Sequence, residues 1–418
     1  MNSKKKALIF LDRKHYILPV LTVIYLLLLT YGSLYPVTTW QWPEIDNWLA
    51  SFEQKTRYVP RSDFIINFLI YVPLGLLLSI SLKDRFAHRY LFILILLIST
   101  IISFLLENLQ MFIPSRAHSF IDFGMNVTGA FVGAVLFQLT TSKTQLGQHL
   151  RKIRYRWFIE GRFVDLGLVI VGIWLLSELS PFIPSLQVQA FYETFTLLKS
   201  SLFDLSDLGY LKVLSFCLEI FALLVIAEMI LKNKAATLLS FAAFAGIVLY
   251  LKIPVVDTEL TAELIYGHLA GAALYFFLGT INSETRIYLA IYALVLAYII
   301  NQLNYVPIYQ TEEIRPFNWM PFNNESKRIF RITEILNITW TFLAISFFIL
   351  LLHPKNKSST WVIGCCAIFV LSFTLEWQQQ GLKSANADIT DVLVSLFAWS
   401  VPFFHPIIRQ AYIPSAKP

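Results

Sequence analysis

The sequence predicts an all-α membrane protein of about twelve transmembrane helices, built as three tandem four-helix units in parallel orientation with both termini cytoplasmic. Three observations carry that expectation. Of 418 residues, 56% are hydrophobic and only 14% charged, with a mean hydropathy of +0.62; a soluble domain carries roughly 25% charged residues. The apolar residues fall into long runs separated by Pro, Gly and charge, the pattern of a chain that crosses a bilayer repeatedly. Within those runs a polar set occurs twice: Arg61, Asn67, Glu107, Gln110 and Asp122 recur as Arg331, Asn337, Glu376, Gln379 and Asp391, at offsets of 270, 270, 269, 269 and 269. Ionisable groups inside a bilayer cost several kcal/mol unless paired, so the same costly set in the same order marks an internal repeat.

The elements follow in order. A basic segment, MNSKKKALIFLDRKHY, precedes the first apolar run with no small-residue cleavage site after it, so this run reads as a retained span rather than a removed signal. A bilayer core takes about 20 apolar residues per helix. Candidate spans lie at 17–33, 63–82, 90–112, 119–140, 163–182, 208–231, 234–252, 261–281, 286–303, 329–352, 359–379 and 388–405. With the N-terminus inside, 21 of the 33 Lys and Arg fall on the cytoplasmic side, six of them between residues 143 and 162. Alternate loops obey the positive-inside rule throughout. The net charge of +6 is thereby a topological signal, and no nucleic-acid partner is expected. Cys217, Cys365 and Cys366 read as apolar fillers.

Four spans per repeat return the chain to the side it entered, so the copies are parallel rather than inverted. The expected units are 1–150, 151–283 and 284–418. The middle one keeps the frame: Ser180-Pro181 stands for Tyr35-Pro36, and Ile253-Pro254 for Ile113-Pro114. TELTAELIYGHLAGAAL matches SFIDFGMNVTGAFVGAV in type. Around Ile247 it has no counterpart of Glu107, which makes it a degenerate copy.

In the first unit Arg61, Asp63 and Asn67 open the second span, Glu107 and Gln110 close the third, and Asp122 and Asn126 open the fourth. Because spans alternate in direction, all three groups reach the extracytoplasmic end. The spacings of three and four residues put each pair on one helix face. The short linker IPSRAH makes Glu107 and Asp122 neighbours, with Arg61 and Arg116 as counter-charges. One account is structural: Ser62 or Ser119 caps a helix, Asp63 and Asp122 complement the helix dipole, and Arg61 pairs with Glu107. The other is an outward-facing polar pocket that binds a headgroup, sugar or peptide through Arg61, Asp63, Asn67, Glu107, Gln110, Arg116, Asp122 and Asn126, a set larger than capping requires. The second-copy candidates are Arg331, Asn337, Glu376, Gln379 and Asp391; Ala385 and Ser395 replace Arg116 and Asn126, and Glu334, Lys383 and Asp388 are gained.

Gly124, Gly129, Ala130, Gly133 and Ala134 suit close helix packing, as do Gly267, Gly271 and Ala272. Glu219, deep in the sixth span, reads as an interhelical hydrogen-bond partner, with proton coupling as the sharper alternative; Glu228 is expected to be solvated near the cytoplasm.

RSDFIINFLIYVPLG followed by ENLQMFIPSRAHSFIDFGMNVTGAFVGA resembles the VanZ-like family of bacterial membrane proteins, through Arg61, Asn67, Pro73, Gly75, Glu107, Gln110, Arg116, Asp122, Asn126 and Gly129. The likeness covers about 55–140, and more weakly about 315–405, where PFNWMPF also looks like the family's loop after its first span. It implies a four-helix unit at the outer face of the bacterial inner membrane, in a family linked to teicoplanin resistance and to envelope and polysaccharide genes. Three functions stay open: a non-enzymatic protein binding a lipid-linked envelope precursor or other envelope component; an enzyme in which Glu107 and Asp122 form an acid/base pair on a lipid headgroup; and a proton-coupled transporter using Glu219. Membrane lipids are partners in each. No metal-ligand motif, nucleophile elbow or phosphate loop occurs, and no metal or cofactor is expected.

Overall fold

The computed structural model describes residues 17–34, 40–42, 61–83, 85–113, 119–141, 144–180, 196, 198–199, 202, 208–253, 260–303, 316–321, 328–380 and 387–404. These residues are helical, with only two isolated β-bridges among them. The longer helices are α1 (Ile17–Leu34), α2 (Arg61–Leu82), α3 (His88–Gln110), α4 (Phe120–Thr140), α5 (Gln145–Trp157), α6 (Arg162–Leu179), α7 (Tyr210–Ile230), α8 (Thr237–Lys252), α9 (Ala262–Phe277), α10 (Ser283–Leu303), α11 (Arg328–Leu351), α12 (Lys357–Gln379) and α13 (Ile389–Phe404).

A helix stands at every expected span, and α5 is additional. Among the described residues, seven helices are long and apolar enough to cross a membrane: α3, α4, α7, α9 with its 3-10 extension, α10, α11 and α12. Apolar stretches of α2, α8 and α13 are shorter. α3 carries Ile93, Leu97, Ile101 and Leu105 four residues apart and all exposed, a face that only lipid or another apolar surface can cover. The protein is an integral membrane protein.

The chain divides into two compact units, Met1–Arg156 and Trp157–Pro418. In the first, α2 runs against α4, α3 packs on α4, and α1 packs on α2 and α3. Small residues set the α2–α4 approach: a methyl group added at Gly75 would strike the Ala130 carbonyl, at Gly129 that of Phe68, and at Gly133 that of Val72. The helices touch backbone to backbone, as the glycine string led one to expect. α1 is tied to α2 by Thr22 Oγ1 to Ser81 Oγ (2.8 Å) and by the Tyr25 hydroxyl donating to the Ile70 carbonyl (2.5 Å).

In the second unit α7 packs on α9 and α10, while α11 packs on α13 and α6. Gly267 lies against Phe216, and Gly271 against Cys217 and Ile220, repeating the α2–α4 device. The α6–α11 and α7–α10 contacts run a single core, with Trp174, Phe221, Phe347 and Trp399, through the expected 151–283 and 284–418 blocks. Within each set of four, the second helix packs on the fourth: α2 on α4, α7 on α9, α11 on α13.

Glu228 corrects an expectation. It is buried, not solvated: Arg286 grips it with Nη1 to Oε2 at 2.7 Å and Nη2 to Oε1 at 2.9 Å, and the Tyr275 hydroxyl donates to Oε2 at 3.1 Å. The tight turn after α9 returns α10 beside the end of α7, which brings Arg286 onto the carboxylate before it can reach water.

Candidate functional site

The last turn of α3 and the first turn of α4 meet around Glu107. Ser119, in extended backbone conformation, caps α4 by accepting the Ile121 N–H on its side chain at 3.1 Å. An N-cap leaves its own N–H outside the helix ladder. Glu107 accepts that N–H: Ser119 N to Oε2 is 3.1 Å. Its other oxygen, Oε1, accepts from Asn126 Nδ2 at 3.4 Å, and the same amide nitrogen donates to Ser103 Oγ at 3.0 Å. Ser103 and Glu107 are one helical turn apart, so they share a face of α3 and meet the Asn126 face of α4. Gln110 reaches a different helix, its Nε2 donating to the Ser33 carbonyl near the end of α1 at 2.9 Å. Glu107, Asp122 and Asn126 are all buried, and Asp122 is near enough for its charge to act on Glu107. Glu107 and Asp122 are therefore near each other, with Asn126 beside Glu107, while Gln110 turns away to α1.

The last third builds the same arrangement. Glu376 Oε2 accepts the Asp388 N–H at 3.1 Å, twelve residues on, as Ser119 stands twelve residues after Glu107. Asp388 in turn accepts the Thr390 N–H at 2.7 Å, so the aspartate is the start-of-helix cap that Ser119 is in the first copy. Gln379 Nε2 reaches Gln302, 77 residues back, at 2.7 Å to its side-chain oxygen and 3.5 Å to its carbonyl; Gln110 and Ser33 are also 77 apart. Ser372 stands where Ser103 does and receives the Tyr298 hydroxyl at 3.3 Å. Ser395, in place of Asn126, turns back to donate to the Asp391 carbonyl of its own helix at 2.7 Å.

Other expected site residues divide. Asn67 is half-buried on α2, and Asn337 is exposed on α11, where its Oδ1 accepts from Trp340 Nε1 at 3.3 Å. Arg116 and Lys383 lie outside the described residues, as do the side chains of Arg61, Asp63 and Arg331. Sequence reasoning passed over Ser103 and Ser372, although they keep the offset of 269. It could not have found Ser33, whose contribution is a backbone carbonyl.

Both oxygens of Glu107 accept N–H donors, so the side chain braces α3 against α4. One acceptor is left over: Asn126 Oδ1 is buried with no hydrogen-bond donor. Glu219 is contacted on one oxygen, Oε1, by Asn301 Nδ2 at 2.8 Å and Ser215 Oγ at 3.3 Å. Among the described residues no group of three or more His, Cys, Asp or Glu side chains is placed to hold a metal ion.

No curated protein and no solved structure matches the chain. Residues 20–141, in the first third of the chain and spanning the whole Glu107 clamp, match the family model of VanZ/LLP1, and this segment is VanZ-like.

Proposed function

We propose that this is a bacterial inner-membrane protein of twelve spans, three tandem VanZ-like units in parallel orientation with both termini cytoplasmic, that binds a polar envelope component at its extracytoplasmic face without turning it over. The braced Glu107 and its partners form the floor of the site. Arg61, Asp63, Asn67, Gln110, Arg116, Asp122 and Asn126 are the ligand-binding candidates. The second copy, with candidates Arg331, Asn337, Glu376, Gln379 and Asp391, is a modified one whose part is chiefly structural.

One observation carries the binding reading: Asn126 Oδ1 is a buried acceptor without a donor, beside two buried acids. Leaving such an atom unpaired costs about 1–3 kcal/mol. A hydroxyl or ammonium donor from a ligand removes that cost, which favours a glycosylated or amine-bearing lipid-linked precursor. A non-catalytic role is supported by the engagement of both Glu107 oxygens. Tandem parallel units are supported by the two clamps and by the second-on-fourth packing in each set of helices. Lowered susceptibility to teicoplanin on over-production is the cellular outcome that the family resemblance suggests.

The test is mass spectrometry of lipids that co-purify with the full chain, compared with Asp122→Asn and Asn126→Leu. A glycosylated or amine-bearing envelope lipid held by the parent and depleted at least tenfold in both variants supports binding. Identical lipid profiles in all three contradict it. Headgroup turnover abolished by Glu107→Gln would replace binding with catalysis.

A further inference from the structure

α5 has no place in the twelve-span scheme, and its surface is unlike that of any span. Its sequence, QLGQHLRKIRYRW, carries His149, Arg151, Lys152, Arg154 and Arg156 with no acid; none occurs anywhere between Asp122 and Glu160. Leu146, Leu150, Ile153 and Trp157 fall at i, i+4, i+7 and i+11, within about 60° of one another around a helix of 3.6 residues per turn. All four are exposed, at 46%, 42%, 41% and 46%. Gly147 is buried and Arg151, Arg154 and Tyr155 are half-buried, so a second face turns toward the protein. Gln148, Lys152 and Arg156 form a third face, which is exposed.

Three faces of this kind describe a helix lying in an interface: one side on the protein, an apolar side down, and cations on both flanks of the apolar stripe. The connections hold it there. Residues 141–144 join it to α4 and 158–161 to α6, and four extended residues reach at most about 14 Å. Tethered that closely to the membrane-crossing α4 on one side and to α6 on the other, the helix stays within reach of the surface.

We propose that α5 is an in-plane anchor that binds anionic phospholipid of the leaflet beside it, with Leu146, Leu150, Ile153 and Trp157 among the acyl chains and Arg151, Lys152, Arg154 and Arg156 on the headgroup phosphates. The anchor is independent of the Glu107 site. It selects leaflet composition through charge and depth through the apolar stripe.

The experiment uses full-length protein with Cys217, Cys365 and Cys366 replaced by Ala and a spin label at Leu150→Cys or Gln148→Cys. Vesicles contain phosphatidylglycerol with phosphatidylcholine, or phosphatidylcholine alone. In anionic vesicles the label at 150 is shielded from a water-soluble nickel relaxant and reached by oxygen, while that at 148 is open to nickel. In phosphatidylcholine, or with R151Q/K152Q/R154Q/R156Q, nickel access at 150 rises toward that at 148. Co-purifying phosphatidylglycerol falls about tenfold or more in the four-fold variant, each cation near an anionic leaflet counting about fivefold. These exposed or half-exposed substitutions leave the thermal melt near that of the parent. Nickel access at 150 equal to that at 148 in anionic vesicles overturns the anchor. Equal shielding in both lipids overturns the anionic selectivity. Spin–spin broadening between labels at 150 that dilution with unlabelled protein removes would assign the face to a second copy and overturn the lipid reading.

Discussion

The acid that ends α3 and the acid that ends α12 hold the same kind of partner in different company. Each accepts the N–H of the residue twelve positions on, the cap of the next helix, at 3.1 Å. The cap itself is a serine in one copy and an aspartate in the other. Each helix-ending glutamine reaches 77 residues back to the helix that opens its set. Beyond that the copies part: Asn126 crosses to Ser103 and Glu107, whereas Ser395 folds back on α13. What both keep is the contact with backbone, which depends only on where the helices are. What differs is the side chain facing the interior, and this is the part that can hold a ligand. The first copy retains an unpaired acceptor at Asn126, which is why the binding role is assigned to it.

The helix contacts give the largest expected contrast. Gly129 faces the Phe68 carbonyl, while its counterpart Ala398 is buried with its methyl already accommodated. Gly129→Ala is expected to cost about 3 kcal/mol through forced separation of α2 and α4, and Ala398→Gly about 1 kcal/mol through helix propensity alone. Thermal melts in one detergent measure both; equal losses would mean that the close approach is not what sets α2 against α4. Next, Glu107→Ala and Glu376→Ala should each lose about 1–3 kcal/mol, because each leaves a buried N–H without its acceptor. A neutral result at either position would break the equivalence of the clamps.

Caps come third. Ser119→Ala and Asp388→Ala are each expected to cost about 1 kcal/mol, with Asp388→Ser recovering most of it. If Asp388→Ser is as damaging as Asp388→Ala, the aspartate serves the site and not the helix start. The smallest effect is at the glutamines. Gln110→Leu and Gln379→Leu should each lose about 1 kcal/mol, the net worth of one hydrogen bond, read in the same melts.

The helices were legible because an apolar run about 20 residues long has few alternatives in a bilayer. Five polar positions recurring at an offset of 269 or 270 made the two clamps legible as a pair. Their working was not. Ser103 and Ser372 are small hydroxyls in apolar helices, where serine is too common to stand out, and Asp388 looked like an added charge because a cap is defined by backbone geometry. The partner of Gln110 is a carbonyl, which leaves no trace in the residue pattern. Glu228 misled for a related reason: its distance along α7 predicted water, and only the return of α10 showed the guanidinium in between. α5 escaped because a span search averages hydropathy, and an amphipathic helix averages to nothing.

We propose that the two clamps are copies in one orientation, with both at the outer surface of the membrane. Single cysteines at Met111 and Gln380, just past α3 and α12, in protein with Cys217, Cys365 and Cys366 replaced by Ala, test it with a membrane-impermeant maleimide on intact cells. Both positions are expected to label from outside without permeabilisation. Labelling of one from outside and the other only after permeabilisation would contradict the account.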